Sequence, residues 1–186
     1  MIEYEVKVLD IDPKAFTKKA NSLGFVLEKE LSFRRVLFDR VPADDKALIR
    51  LRTDGSQATL TFKKFHENAI DGVEEHEVDV SDFETCKTLL QRTGLKETSY
   101  QENTRKLFLN PQRPDLEITI DQWPAIPPYA EVEGKSVEGV KKLLAELGVD
   151  ESKVTSTTPG GVYKTYGIDI SGLPVISFDN LPNSYT

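Results

Sequence analysis

A chain of 186 residues, 38 % hydrophobic and 30 % charged, suits one soluble globular domain with a sizeable core, and no apolar run approaches the ~18 residues of a membrane span. A net charge of −7 argues against general nucleic-acid binding, which works by neutralising phosphates. The lone Cys86 excludes an internal disulfide framework and disfavours a thiolate zinc site.

In chain order, residues 2–10 alternate apolar and charged positions and predict a strand. The opening MIEYEVKV has no basic start or apolar centre, so no signal peptide is expected and a cytoplasmic protein is. Asp12 and Pro13 supply the N-cap and first residue of a helix that Gly24 stops, with Phe16, Ala20 and Leu23 on its apolar face. Residues 25–38 predict one or two strands, followed by a turn from Pro42 to Lys46. Residues 47–54 and 57–66 flank Asp54-Gly55-Ser56 and predict a hairpin.

Asp71-Gly72 marks a turn before a strand at 73–80. Ser81 or Asp82 then caps a helix running to Thr93, which holds Cys86 as a small buried hydrophobe. Strands are expected at 95–109, at 115–122 and, after Pro124, Pro127 and Pro128, at 129–134. Ser136 opens a helix with Val140, Leu143, Leu144 and Leu147 on one side, and Gly148 ends it. Residues 149–161 read as a polar loop and Val162–Tyr166 as a last short strand, while the residues from 168 on read as a loose tail, with capping of a barrel mouth or assembly as alternatives. Many hairpin-linked strands with three helices predict an antiparallel α+β domain whose strands form a closed or nearly closed barrel.

Residues two apart in a strand share a face. Glu3, Glu5 and Lys7 therefore align, as do Arg50 with Arg52, and Thr59, Thr61 and Lys63. Glu75, Glu77 and Asp79 align in the same way, followed by Glu117, Thr119 and Asp121, then Glu131 and Glu133. Singly, each is an ordinary solvated face of a half-exposed sheet. Jointly they are sorted by sign, whereas a plain surface intersperses its charges. Paired carboxylates suit a divalent cation and paired arginines a polyanion.

Glu3-Tyr4-Glu5-Val6-Lys7 is an E-x-E-x-K motif, and several further motifs follow it in order. These are Arg50-Leu51-Arg52, Thr61-Phe62-Lys63, Glu75 with Glu77, Arg105, Asp121, Glu131-Val132-Glu133-Gly134 and Lys164. Together they resemble the CYTH family, the triphosphate tunnel metalloenzymes. That family includes class IV adenylyl cyclases, thiamine triphosphatases and inorganic triphosphatases. The likeness covers residues 1–167 as one domain and leaves 168–186 unassigned.

The resemblance implies an eight-stranded antiparallel β-tunnel, a closed barrel open at both ends with helices packed outside. It implies Mg2+ or Mn2+ held by Glu3, Glu5, Glu131 and Glu133, with Asp121 beside them and Glu75 and Glu77 adding a ligand or orienting a basic partner. Lys7, Arg50, Arg52, Lys63, Arg105 and Lys164 would grip phosphate oxygens, and Glu3, Glu5, Lys7, Lys63 and Arg105 form the expected catalytic set. Two positions depart from the family pattern: Leu37 stands where a Tyr is frequent, and Asn103 where a Lys is common.

The expected reaction is hydrolysis of inorganic tripolyphosphate or of a nucleoside triphosphate, by a monomer or homodimer with no nucleic-acid or membrane partner. Cyclisation of ATP to cyclic AMP and pyrophosphate uses almost the same cage, with a different oxygen held in line. Non-catalytic capture of polyphosphate or a nucleotide needs only the cations. Trp123 reads as a lid or packing residue, and His66 and His76 lack zinc-site spacing.

Overall fold

Asp12 turns the first strand into the first helix by accepting bonds from the Lys14 and Ala15 amides at 2.8 and 3.2 Å. The computed structural model describes residues 4–39, 47–65 and 73–181. Its elements begin with β1 (Tyr4–Val8), α1 (Pro13–Ser22), β2 (Val26–Phe38), β3 (Ala47–Thr53), β4 (Ala58–Phe65) and β5 (Val73–Val80). They continue with α2 (Phe83–Arg92), β6 (Glu97–Leu109), β7 (Leu116–Gln122), β8 (Tyr129–Gly134) and α3 (Val137–Leu147). A 3-10 turn at Glu151–Lys153 precedes β9 (Val154–Thr155), α4 (Pro159–Thr165) and β10 (Val175–Ile176). Glu3, His66 and the turns expected at Pro42–Lys46 and Asp71-Gly72 lie outside the described residues.

The strands form one sheet in the order β5-β4-β3-β2-β6-β7-β8-β1-β9, with β10 on β6. Every neighbouring pair along that order is antiparallel, and β10 pairs with β6 in parallel. The α+β architecture with an antiparallel sheet and helices is as expected. The closed barrel is not: among the described residues no ladder joins β5 to β1. The outer edge of β1 is instead paired at Lys7 and Val8 with β9, so the edge that closure needs is partly occupied.

One face of the sheet carries the core. Val8, Phe108, Ile118, Ile120, Ala130 and Val132 pack with Phe16 and Ala20 of α1 and with Val140, Leu143 and Leu147 of α3. Farther along, Val36, Phe38, Leu51 and Ala58 pack with Phe83 of α2, and Cys86 lies partly buried against them. Each Val, Leu, Ile or Phe side chain contributes about 1.5–3 kcal/mol when fully buried, which holds the helices on this face.

A third cluster overturns three expectations. Residues 159–165 form a helix, α4, not a strand, because Thr158 caps it on the Gly161 amide and Pro159 begins it. Nor are residues 168–181 loose. Ile168, Ile170, Leu173, Ile176 and Leu181 pack with Val162 and Tyr163 of α4 against Leu9, Trp123, Ile126 and Tyr129. Tyr163 meets Trp123 edge-on at 6.3 Å and donates to the Pro124 carbonyl at 2.7 Å. Leu9, Trp123 and Tyr129 continue the opposite, charged face where β1, β7 and β8 end. That end is roofed by apolar side chains, whereas the resemblance implied an opening there.

Candidate functional site

Directly opposed residues in neighbouring strands point to the same side, so the register carries one face across the sheet. Glu5 opposes Glu133, which opposes Glu117. Lys7 opposes Glu131, and Tyr129 opposes Asp121, which opposes Arg105. Arg35 opposes Gln101 on one side and Arg52 on the other, and Arg52 opposes Thr59. Arg50, Thr61 and Glu77 form the next row, and Lys63 opposes Glu75.

The face curls upon itself. Burial raises Glu5 on β1, yet Lys63 of β4 is near enough to offset a little of that shift, and Arg105 of β6 adds to the lowering that burial imposes on Arg50 of β3. In strand order five strands separate β4 from β1. On a flat sheet with strands ~4.8 Å apart they would stand roughly 30 Å from each other, well beyond the reach of such an interaction. The sheet therefore wraps these charges around a shared chamber.

Within it, Glu131 is held by Lys7 at 3.3 Å and by Arg105 at 2.5 Å. Lys7 also bonds Glu5. Arg105 clamps Asp121 through two bonds of 2.7 Å, the bidentate geometry that a guanidinium fork favours. Arg50 reaches Glu75 at 3.4 Å, Glu77 at 3.3 Å and Thr61 at 3.2 Å, while Lys63 pairs with Glu75 at 2.6 Å. Thr61, fully buried, donates to Glu77 at 2.7 Å.

Burial alone would raise the Glu131 carboxyl, but Lys7 and Arg105 outweigh it and hold it down at about 2. Burial likewise opposes the Lys7 ammonium, and Glu131 with Glu5 overcomes it and raises the group. Glu5 and Asp121 are raised by burial, with the Glu131 charge adding to the shift in both. The Glu5 side chain nonetheless keeps 36 % of its surface accessible; that surface faces the chamber, whose walls are the other strands. Burial and neighbouring arginines lower Arg52 to about 10 and Arg35 to about 9.

Of the residues expected from sequence, the chamber brings together Glu5, Lys7, Arg50, Arg52, Lys63, Glu75, Glu77, Arg105, Asp121, Glu131 and Glu133. Lys164 is not with them. It lies exposed on α4 because its segment is helical, near Asp169, whose carboxyl is lowered chiefly by bonds from Ser171 and only slightly by Lys164. Two chamber residues escaped sequence reasoning. Arg35 follows Arg34 in a doublet that looks like one surface patch, but alternation splits it: Arg34 turns outward over Phe83 at 4.8 Å and pairs with Glu84 at 3.5 Å. Tyr129, fully buried, was hidden by its prolines.

The carboxylates suit a hard divalent cation in kind, since Glu5, Glu133 and Glu117 occupy successive register positions with oxygen donors only. Like charges in one row repel, and a bound cation relieves this. Among the described residues, however, no three Asp, Glu, His or Cys side chains are close enough to hold a metal ion. Lys7 and Arg105 stand between the acids instead, and Glu3 lies outside the described residues.

A model of the CYTH domain matches residues 1–157. No curated protein matches the sequence. The PH1012 protein of Pyrococcus horikoshii OT3 is similar in structure, with 18 % identity and a TM-score of 0.74 over 84 % of this chain and 96 % of that one. A proposed adenylate cyclase from Vibrio parahaemolyticus has 13 % identity and a TM-score of 0.71 over 88 % and 98 % of the two chains. HpAC1 from Hippeastrum, a proposed adenylyl cyclase with a dominant triphosphatase activity, has 17 % identity and a TM-score of 0.62 over 89 % and 95 %. At such identities the likeness is one of fold.

Proposed function

The chain belongs to the CYTH domain family, and on that premise we propose that it binds a triphosphate in the charged chamber and hydrolyses it with the help of Mg2+ or Mn2+. The observation that carries this reading is the convergence of Lys7, Arg35, Arg50, Arg52, Lys63 and Arg105, from β1, β2, β3, β4 and β6, on one space. Cations crowded in this way repel each other and are poorly hydrated, and a polyanion removes both costs. The dominant triphosphatase activity of HpAC1, a protein of the same fold, points the same way.

Arg52, Arg50 and Lys63 line the wall where phosphoryl oxygens would be gripped. Lys7, kept protonated by its two carboxylates, and Arg105 counter the charge that builds on the transferred and leaving oxygens. Glu5, whose carboxyl burial raises, would take the proton of the attacking water. A divalent ion that arrives with the triphosphate would take carboxylate oxygens from Glu5 and the opposed Glu133 beside the phosphate's own, and would supply charge neutralisation and a more acidic water.

The test is direct. Tripolyphosphate, ATP and thiamine triphosphate are each incubated with the protein and Mg2+ or Mn2+, while orthophosphate, pyrophosphate and cyclic AMP are followed together. Orthophosphate release supports hydrolysis. Pyrophosphate with cyclic AMP makes the protein a cyclase, and tight binding without turnover makes it a sensor. Absence of any phosphate product defeats the hydrolytic reading.

A further inference from the structure

Arg35 is a buried cation that makes no ion pair among the described residues. Only 8 % of it is exposed, and among the described residues no carboxylate lies within ion-pair distance. Among the described residues it donates to Asn103 Oδ1, and its Nε is buried without a partner. Its charged neighbours include the cations Arg50, Arg52 and Arg105, and the acid Asp121, which Arg105 already clamps at 2.7 Å.

Its surroundings are those of an end wall. Arg35 lies 4.6 Å over the Trp123 ring, which packs on Tyr163 of α4. Its register partner Gln101 is flanked by Ile176 of β10, so the tail crosses beside it. On its other side stands Arg52, 4.6 Å over the Phe33 ring that Arg35 also approaches at 6.0 Å. The Tyr129 hydroxyl nearby is buried and has no partner either. Opposed arginines on neighbouring strands destabilise a sheet, and a buried unpaired cation costs more still. Such an arrangement persists where a ligand supplies the missing charge.

We infer that Arg35, with Arg52 beside it and the tail-covered Trp123 behind it, forms an end-stop subsite for the terminal phosphate group of a short polyphosphate chain. The assignment rests on the proposed function, and it adds a direction: the chain enters from the side away from the tail, and its last phosphate stops at Arg35. Arg35 is a specificity residue for chain end and length.

The experiment titrates tripolyphosphate and, separately, orthophosphate into the full chain by calorimetry in the presence of Mg2+, using wild type, Arg35→Met and Arg35→Lys, with ligand-free melting curves alongside. The expected result is a loss of about tenfold or more in tripolyphosphate affinity for Arg35→Met, as one charge-assisted contact predicts. Arg35→Lys should recover part of it, and Arg35→Met should melt, ligand-free, no lower than wild type. Arg35-dependent binding of orthophosphate as well means that free phosphate uses the same subsite. Binding of tripolyphosphate alone assigns it to the end of a chain. Wild-type affinity in Arg35→Met overturns the subsite and leaves the proposed function standing. A failure of Arg35→Met to fold makes Arg35 a structural cation and also overturns it. If the wild type binds neither anion, subsite and proposed function fall together.

Discussion

Lys7 and Glu131 oppose each other on β1 and β8, with charged atoms 3.3 Å apart and only 6 % and 8 % of their side chains exposed. Removing one member of a buried pair strands the other without compensation. Glu131→Gln deprives both Lys7 and Arg105 of a carboxylate charge, so a loss of about 3 kcal/mol is expected. Urea unfolding measures it, and a change under about 1 kcal/mol would mean that water or a neighbour already satisfies Lys7.

The same carboxyl sets a pH dependence. Glu131 has a folded value of about 2 against an ordinary 4.5, so its stabilising contribution is complete above 4.5 and disappears as pH falls toward 2. Glu5 and Asp121 are shifted upward. Each therefore penalises the folded state above its raised value, and the penalty lifts on protonation. Melting temperature should rise as pH is lowered from neutrality into the mildly acidic range, then fall below 4.5. In Glu131→Gln the acid-side fall should be smaller, and a profile identical to wild type would contradict the assignment.

Arg50 and Arg52 are two residues apart but should respond differently. Arg50 holds Glu75 at 3.4 Å and Glu77 at 3.3 Å, so Arg50→Ala should lower both stability and triphosphate affinity. Arg52 has a ring contact and no ion pair among the described residues. Arg52→Ala should weaken triphosphate binding about tenfold while costing about 1 kcal/mol or less of stability. Paired calorimetry and denaturation separate the two, and equal stability losses would contradict the distinction.

Tyr163 ties α4 to the connection before β8 through its 2.7 Å bond to Pro124. Tyr163→Phe keeps the packing on Trp123 and leaves that carbonyl without its donor, which should cost about 1 kcal/mol. Melting should drop by a few degrees with unchanged tripolyphosphate affinity. An unaltered melting temperature would show that the bond contributes nothing net.

Chelation with EDTA should abolish phosphate release while leaving the far-ultraviolet circular dichroism unchanged, since ladders and three apolar clusters hold the fold. Added Mg2+ should raise the melting temperature by binding the folded state and relieving the Glu5–Glu133–Glu117 row. A melting temperature insensitive to Mg2+ and Mn2+ would count against a metal site among these carboxylates.

Much of the chamber was legible because period-two alternation is local. Glu5 with Lys7, Arg50 with Arg52 and Glu131 with Glu133 share a face whatever else the chain does. Helix ends were legible for a similar reason: Asp12, Asp82 and Ser136 cap the amides that follow them, at 2.7–3.2 Å. Lys164 was misplaced because its segment satisfies both a strand-like apolar pattern and a Thr-Pro helix start, and only packing on Trp123 settles which one wins.

The order of residues settled which side chains can share a face and where helices begin, because both follow from the geometry of a few consecutive residues. It did not determine which faces meet. Pairing of β2 with β6 and curling of the sheet bring Lys63 to Glu5 and set Arg35 among three other arginines. Packing of α4 and β10 on Leu9, Trp123 and Tyr129 roofs one end. Those contacts join residues far apart in the chain, and the free energy that selects them comes from burial and charge compensation that exist only once the chain is folded.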